Sequence, residues 1–387
     1  MNCTLCGSKN HEEIFNQLEK CVTSDSEMID GKILNKICED CGHIFNIYGT
    51  RKFTESFYRD SYKLMDSSSN AEFKYYSNDS SINYSDWRLN ILTENFSVPL
   101  SGNILDIGCG KGNFLDTFNK KFKNWNIFGI EGSKNALSFA KNKLPNSNFF
   151  EGLFSKNPFN KKFDIIVSLG VVEHLENPNE FLTEARNCLN ENGIIMFDVP
   201  NFKLNPSDLY VFDHLNHFTK ETLQNLIQNN ELEILKIIET NDRMPLFVIC
   251  KKTIEKKPLK NHFQIMNDLV SQHIKFNNSL MDTYENVNKK FDQIGIFGLG
   301  LMLWIAIQNN KISIEKISGI YDENELLINK KISGINIYHL NELINQKDLP
   351  ILFSLSPCYM NNVTQKLDNL GIKYFIPNNF TYYKNYL

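Results

Sequence analysis

From Asn103 onward the chain alternates short, wholly apolar runs with longer stretches in which apolar residues recur every three or four positions. Continuous apolar runs fit strands buried on both faces, and the three-to-four spacing fits helices with one buried side. Strands are expected at Ile104–Ile107, Ile127–Glu131, Phe163–Leu169, Gly193–Val199, near Glu233–Glu239 and at Leu246–Lys251. Helices are expected at Phe114–Phe122, Asn135–Leu144, Pro178–Leu189 and Lys220–Asn229. That order predicts βαβ units, hence an α/β fold with a mainly parallel sheet and helices on both faces.

The pattern changes on either side of this core. Upstream, Trp87, Ile91, Leu92 and Phe96 keep helical spacing over Tyr84–Phe96, and Pro99 and Gly102 then break it. Downstream, the lysine-rich run Lys251–Lys260 with its one proline reads as a boundary. His262–Phe291 reads as one long helix, free of Pro and Gly. A second α/β set opens at Ile294, with strands at Lys316–Tyr321, Ile351–Ser354 and Lys373–Ile376 and a helix at Tyr359–Leu370. The expected division is a small unit at 1–52, a Tyr-, Ser- and Asn-rich connector at 53–83, a core at 84–255 and a C-terminal α/β unit at 256–387.

A length of 387 residues is consistent with several such units. The net charge of -4, from 41 Lys+Arg against 45 Asp+Glu, argues against a nucleic-acid partner, whose phosphates call for a basic surplus. No apolar run is long enough for a membrane span, and Met1–Thr4 lacks the character of a secretory leader, so a cytoplasmic protein is expected. Nine cysteines in such a chain do not read as a disulfide framework, and five of them precede residue 50.

Four of those five form two CxxCG pairs, Cys3–Gly7 and Cys38–Gly42. A CxxC turn directs two thiolates at one ion, and two turns complete a tetrahedral site, so Cys3, Cys6, Cys38 and Cys41 are the expected ligands of a structural zinc. The following glycines permit the left-handed backbone that such turns use. Cys21 and His43 are ligand types close by, read as bystanders. A thioredoxin-like redox role would need one CxxC opening a helix, and the paired spacing fits that poorly.

The segment Ile104-Leu105-Asp106-Ile107-Gly108-Cys109-Gly110-Lys111-Gly112-Asn113-Phe114 places glycines between a strand and a helix, where backbone approaches a ligand closely. Asp106 precedes the turn, and Glu131 ends the next strand, where an acid can accept ribose hydroxyls. A dinucleotide fingerprint would carry a third glycine where Asn113 stands. This segment, Glu131, Phe163–Leu175 and Gly193–Asn201 together resemble the ordered motifs of class I S-adenosylmethionine-dependent methyltransferases, over about residues 84–251. The resemblance implies a Rossmann-like core binding S-adenosyl-L-methionine. It implies backbone approach at Gly108 and Gly110, ribose contact at Glu131 and a place beside the methionine moiety for Gly170. Asp106 joins that set. One departure is Leu153, where many members carry an acid facing the adenine amine.

Asp213 and His214 lie in the segment Asp208–Thr219 after the fifth core strand, where loops carry ligands and chemistry. A histidine paired with a carboxylate suits proton transfer; alternatively these residues cap the next helix. Glu173-His174 presents the same two readings, active site or helix cap. Taken with the cysteine pairs and the C-terminal α/β unit, the layout resembles sugar C-methyltransferases, which act on keto-sugars attached to nucleoside diphosphates. That resemblance implies a base at Asp213-His214 and a nucleotide-linked sugar as small-molecule partner. Val211 stands where the family commonly has tyrosine, with Tyr210 adjacent, which leaves the acceptor atom open between carbon and oxygen. A non-catalytic zinc-containing scaffold with a vestigial methyltransferase fold is the alternative of another class. In the C-terminal unit, Gly298-Leu299-Gly300 with Asp322 suggests a second nucleotide turn, against which Leu303 argues. Tyr75, Tyr76 and Tyr84 are candidates either to close over the cofactor or nucleotide or to pack between domains.

Overall fold

The N-terminal unit is built on alternation rather than on a core of its own. The computed structural model describes residues 1–24, 28–48, 72, 74–77, 80–239, 245–325 and 327–377. Strands β1 (His11–Val22) and β2 (Met28–Cys38) pair antiparallel, and β3 (Ile44–Asn46) pairs with β2. Ile33 and Ile37 point inward, while the partly exposed positions between them face out. The short pair β4 (Lys74–Ser77) and β5 (Ser80–Asn83) lies in the connector, most of which is outside the described residues, as are the side chains of Tyr75 and Tyr76.

Helix α1 (Tyr84–Asn95) buries Trp87, Ile91 and Leu92, as its spacing predicts, and Leu89 as well, while Phe96 is its half-buried C-cap. The core then follows in βα order: β6 (Gly102–Ile107), α2 (Asn113–Lys121), β7 (Trp125–Glu131), α3 (Lys134–Lys143), β8 (Asn148–Glu151), β9 (Phe163–Leu169), α4 (Pro178–Cys188) and β10 (Leu189–Pro200). The tiny strand β11 (Asn216–His217) precedes α5 (Lys220–Asn229), and the hairpin β12 (Leu232–Glu239)–β13 (Pro245–Lys252) closes the unit. The seven strands run β12-β13-β10-β9-β6-β7-β8, with β6 to β10 parallel and β13 antiparallel to β10. Inserting β13 between β10 and β12 departs from the six-stranded order of dinucleotide-binding folds.

Helix α6 (Phe263–Lys290) spans the distance to the second α/β set, as expected from its unbroken sequence. That set comprises β14 (Ile294–Phe297), α7 (Leu301–Gln308), β15 (Ile317–Asp322), β16 (Lys331–Ile332), β17 (Ile335–His339), β18 (Ile351–Phe353), α8 (Pro357–Leu370) and β19 (Tyr374–Phe375). Its sheet runs β16-β17-β15-β14-β18-β19 around a separate apolar cluster containing Tyr284 and Trp304. The cysteine unit, by contrast, shares a core with the main sheet, where Leu5, Cys38, Cys41 and Phe45 join the cluster of Phe197, Phe218 and Leu223.

The turn after β14 is filled by the protein itself. Ser354 Oγ accepts hydrogen bonds from Gly300 N and Leu303 N, each 3.1 Å. A Cβ on Gly300 would lie 1.5 Å from the Ser354 carbonyl oxygen, and the Leu355 side chain covers Gly298. Asp322 Oδ2 accepts from Leu299 N at 3.2 Å. A hydroxyl thus bonds the backbone N–H groups at the start of α7, the end of a helix that a phosphate uses in a nucleotide site.

Candidate functional site

Gly108, Gly110 and Gly112 all adopt positive φ (79°, 53° and 73°), so the turn between β6 and α2 needs residues without a Cβ. Gly108 N donates to the Ile130 carbonyl at 2.8 Å, which ties the turn to the end of β7. At that end Glu131 Oε2 accepts from Gly110 N at 2.8 Å and Oε1 from Ser133 N at 2.7 Å. Burial lifts the Glu131 carboxyl above the ordinary range, and these backbone N–H groups pull it back. Its orientation is therefore fixed, with acceptor capacity remaining on each oxygen.

Asp106, Gly170 and Asp198 lie across the neighbouring strands. Asp106 is 2% exposed, its Oδ1 has no hydrogen-bond partner among the described residues, and burial pushes its carboxyl up to about 8. Gly170, with φ 70°, follows β9, and a Cβ there would be in ordinary contact with Glu173 Oε1 at 3.9 Å and Arg88 Nη2 at 4.0 Å. Asp198 receives a forked contact from Arg88, Nε to Oδ2 at 2.8 Å and Nη2 to Oδ1 at 3.2 Å. The Arg88 guanidinium also lies 4.6 Å over the Tyr84 ring, which places Tyr84, whose side chain alone of the three candidates is described, beside this cradle. A glycine turn, an acid on each of two adjacent strands and a buried oxygen without a partner fit a cofactor with a ribose at one end and a cationic group at the other.

The acid–histidine loop lies beside this cradle, because Glu173 follows Gly170 by three residues in a short 3₁₀ turn, Val172–His174. Asp208 Oδ1 pairs with His214 Nδ1 at 2.7 Å, and its Oδ2 with His217 Nδ1 at 2.6 Å. Burial favours the neutral acid at Asp208, yet the two imidazoles hold its carboxyl well below the usual range. Burial likewise works against a charged His214, but Asp208, helped by Asp213 and Glu173, lifts that imidazole to about 9. Asp213 points elsewhere. Its carboxylate accepts Ser24 N and Ser24 Oγ, both at 2.7 Å, and its Oδ2 lies 3.4 Å from His174 Nδ1. His174 Nδ1 donates to the Asp213 carbonyl at 2.8 Å, and burial brings its imidazole down to about 4.

Glu173, His174 and His214 converge, each contributing a ligating atom within 4.8 Å of the others. Burial pushes the Glu173 carboxyl up to about 8, and its Oε2 has no hydrogen-bond partner among the described residues. Neither Asp213 nor His214 caps α5. Thr219 does so, with its N–H donating to Thr222 Oγ1 at 3.1 Å. The structure therefore joins Asp213 and His214 in one buried cluster but gives His214 a different partner, Asp208. Asp208 pairs with both loop histidines, and the sequence offered only its proximity. Arg88 carried a weaker clue, being one of five arginines in a lysine-dominated sequence.

Cys3, Cys6, Cys38 and Cys41 come together as their spacing predicts, with Cys3–Cys41 sulfurs 3.7 Å apart and Cys6–Cys38 sulfurs 3.5 Å apart. A tetrahedral thiolate zinc with bonds of about 2.3 Å separates its sulfurs by roughly 3.8 Å. Gly7 N and Gly42 N close the two turns onto the Cys3 and Cys38 carbonyls, at φ 76° and 78°. Cys21 packs apart, against Ile33 and Phe212, and His43 Nε2 bonds Asn216 Oδ1 at 3.1 Å.

Residues 82–237 match the family described as "Methyltransferase domain". A malonyl-[acyl-carrier protein] O-methyltransferase of Halalkalibacterium halodurans is 27% identical over 213 residues, covering 47% of this chain and 79% of that protein. An uncharacterized methyltransferase of Alkaliphilus oremlandii is 32% identical over 149 residues, or 38% of this chain and 66% of its own length. Among solved structures, an S-adenosylmethionine-dependent methyltransferase from Clostridium acetobutylicum aligns at TM-score 0.38 and 19% identity, covering 44% of this chain and 91% of that one.

Proposed function

We propose that residues 82–237, which match a methyltransferase domain, form an S-adenosylmethionine-dependent methyltransferase core, and that the protein methylates a carbon atom of a nucleotide-linked keto-sugar. When bound, the cofactor supplies the electrophilic methyl group. Glu131 holds its ribose, the Gly108–Gly110 backbone packs against it, and Gly170 makes room beside its methionine portion. His214 removes a proton from the carbon next to the sugar's ketone. With Nδ1 committed to Asp208, Nε2 is the nitrogen that takes the proton, and Asp208 stabilises the resulting imidazolium. Asp213, fixed by Ser24, orients His174 beside it. The observation that carries this reading is the buried Asp208–His214 pair next to the cradle, since a hydroxyl acceptor needs less elaborate base chemistry than a C–H acid.

The four cysteines hold a structural zinc, because the site is closed by four thiolates and has no open position for chemistry. The 1–52, 84–255 and 256–387 units divide the work into metal-held support, methyl transfer and a C-terminal unit without its own nucleotide site, joined by the 53–83 connector. The site of action is the cytoplasm. Replacing His214 by Asn, with the true acceptor, lowers kcat by about 10²- to 10⁴-fold while cofactor affinity stays the same; near-normal turnover would end the role assigned to His214. The names of two groups of relatives, the malonyl-[acyl-carrier protein] and ubiquinone biosynthesis O-methyltransferases, favour oxygen as the second reading of the acceptor.

A further inference from the structure

The segment Asp208–Thr219 holds two histidines, and the proposed chemistry uses only His214. His217 lies on β11, 1% exposed, with its ring centroid 5.5 Å from that of Phe202. Asp208 Oδ2 sits 2.6 Å from its Nδ1, and Asn35 Oδ1 sits 3.3 Å from its Nε2. Neither neighbour has a hydrogen to give the ring. The Asp208 carboxyl is held well below the usual range, so it is a carboxylate and only accepts. Asn35 is oriented by its Nδ2, which donates to the Leu209 carbonyl at 2.8 Å, so the amide oxygen is the atom turned toward Nε2. Each nitrogen of His217 therefore carries a hydrogen, and the ring carries a positive charge.

Asp208 thus stands between two imidazoles, with His214 on Oδ1 at 2.7 Å and His217 on Oδ2. A buried carboxylate facing His214 alone would bind the His214 proton tightly, and a base must begin without that proton. A cation on the other carboxylate oxygen offsets part of that attraction. Around His217 the remaining titratable groups are His43 and His273, both brought down to about 4 by burial and therefore neutral. Around His214 they are Asp208, Asp213, Glu173 and His174. We propose that His217, seated by Asn35, is a standing counter-ion to Asp208 that aims the carboxylate at His214 while limiting its grip on the His214 proton. His217 is then a positioning residue, acting on the base through Asp208. Asn35 extends that role to β2, three residues before Cys38.

The inference rests on the reading of His214 as the base, and the two are tested apart. Nitrogen-15 NMR of the full chain with labelled histidine requires no turnover. At neutral pH it should show a hydrogen on both nitrogens of His217, and a ring with one bare nitrogen overturns the proposal. His217→Gln keeps an N–H for Asp208 but removes the charge. In that variant the His214 ring should release its proton at least ~1 pH unit higher than in the unaltered chain, and the rising limb of the rate should follow it. Asn35→Leu, which removes the acceptor at Nε2, should move both in the same direction by less. A His214 titration that stays in place in these variants, or moves to lower pH, overturns the proposal. A titration that moves while the rate limb does not leaves the counter-ion standing and removes His214 as the base.

Discussion

His214 shows how a neighbour three-dimensionally close, rather than adjacent in sequence, sets a residue's chemistry. Asp213-His214 reads from sequence as an acid–base pair, but the Asp213 carboxylate is taken by Ser24 while His214 turns to Asp208. The 3₁₀ turns Phe202–Leu204 and Pro206–Tyr210 fold Asp208 back under the loop, and that contact is not written in any local spacing. The consequence is a pH profile. His214 is surrounded by Asp208, Asp213, Glu173 and His174, and is held at about 9, so at neutral pH most of it is protonated and idle as a base. Turnover should rise with pH until that group has lost its proton. Removing the Asp208 charge leaves burial, which favours neutral imidazole. In Asp208→Asn the rising limb therefore moves to lower pH by at least ~1 unit, while the plateau falls by about 10²-fold because the ring has lost its orienting carboxylate. A pH–rate series on both proteins checks this, and an unmoved limb would separate Asp208 from the titrating group.

At the scale of elements, the core was largely legible. Apolar runs flanked by glycine marked β6, β7, β9 and β10, and unbroken helical spacing marked α1 and α6. The N-terminal strands were not anticipated, since β2 mixes polar with apolar positions and buries only its second half, Ile33, Asn35, Ile37 and Cys38. Their role explains why they form. β3 pairs with β11, so the cysteine unit and the acid–histidine loop share one four-stranded sheet. Asn35 Nδ2 donates to the Leu209 carbonyl at 2.8 Å, Asn46 Nδ2 to that of Phe212 at 3.2 Å, and Ser24 grips Asp213. A metal that holds Cys3, Cys6, Cys38 and Cys41 thereby holds the loop. Elemental analysis should find one zinc per chain, lost in Cys38→Ser. Amide exchange should then quicken across 208–217, while exchange in β6 and β7 and S-adenosylhomocysteine affinity are retained. Unchanged protection in that loop after metal loss would show that the cysteine unit does not support it.

Across the whole molecule, the loop is the meeting point of all three units. From the C-terminal side, His273 and Asn277 on α6 donate to the Phe202 and Pro206 carbonyls at 2.6 and 2.8 Å, and Ser356 Oγ donates to Asn205 Oδ1 at 2.8 Å. The N-terminal sheet holds the other side, and the cradle of Glu131, Asp106 and Arg88 lies beyond Gly170. Three separate segments thus fix one buried acid–histidine cluster beside the glycine-turn cradle, which is the arrangement that the proposed base chemistry requires. The most direct measurement is incubation of the protein with S-adenosylmethionine bearing a ¹³C-methyl group and nucleotide-linked keto-sugars deuterated next to the ketone, followed by mass and NMR analysis of the product. The account predicts a labelled methyl group bonded to that carbon, with the deuterium it replaced lost. A labelled methyl on oxygen with the deuterium retained, or no transfer to any keto-sugar by protein that binds the cofactor, would contradict it.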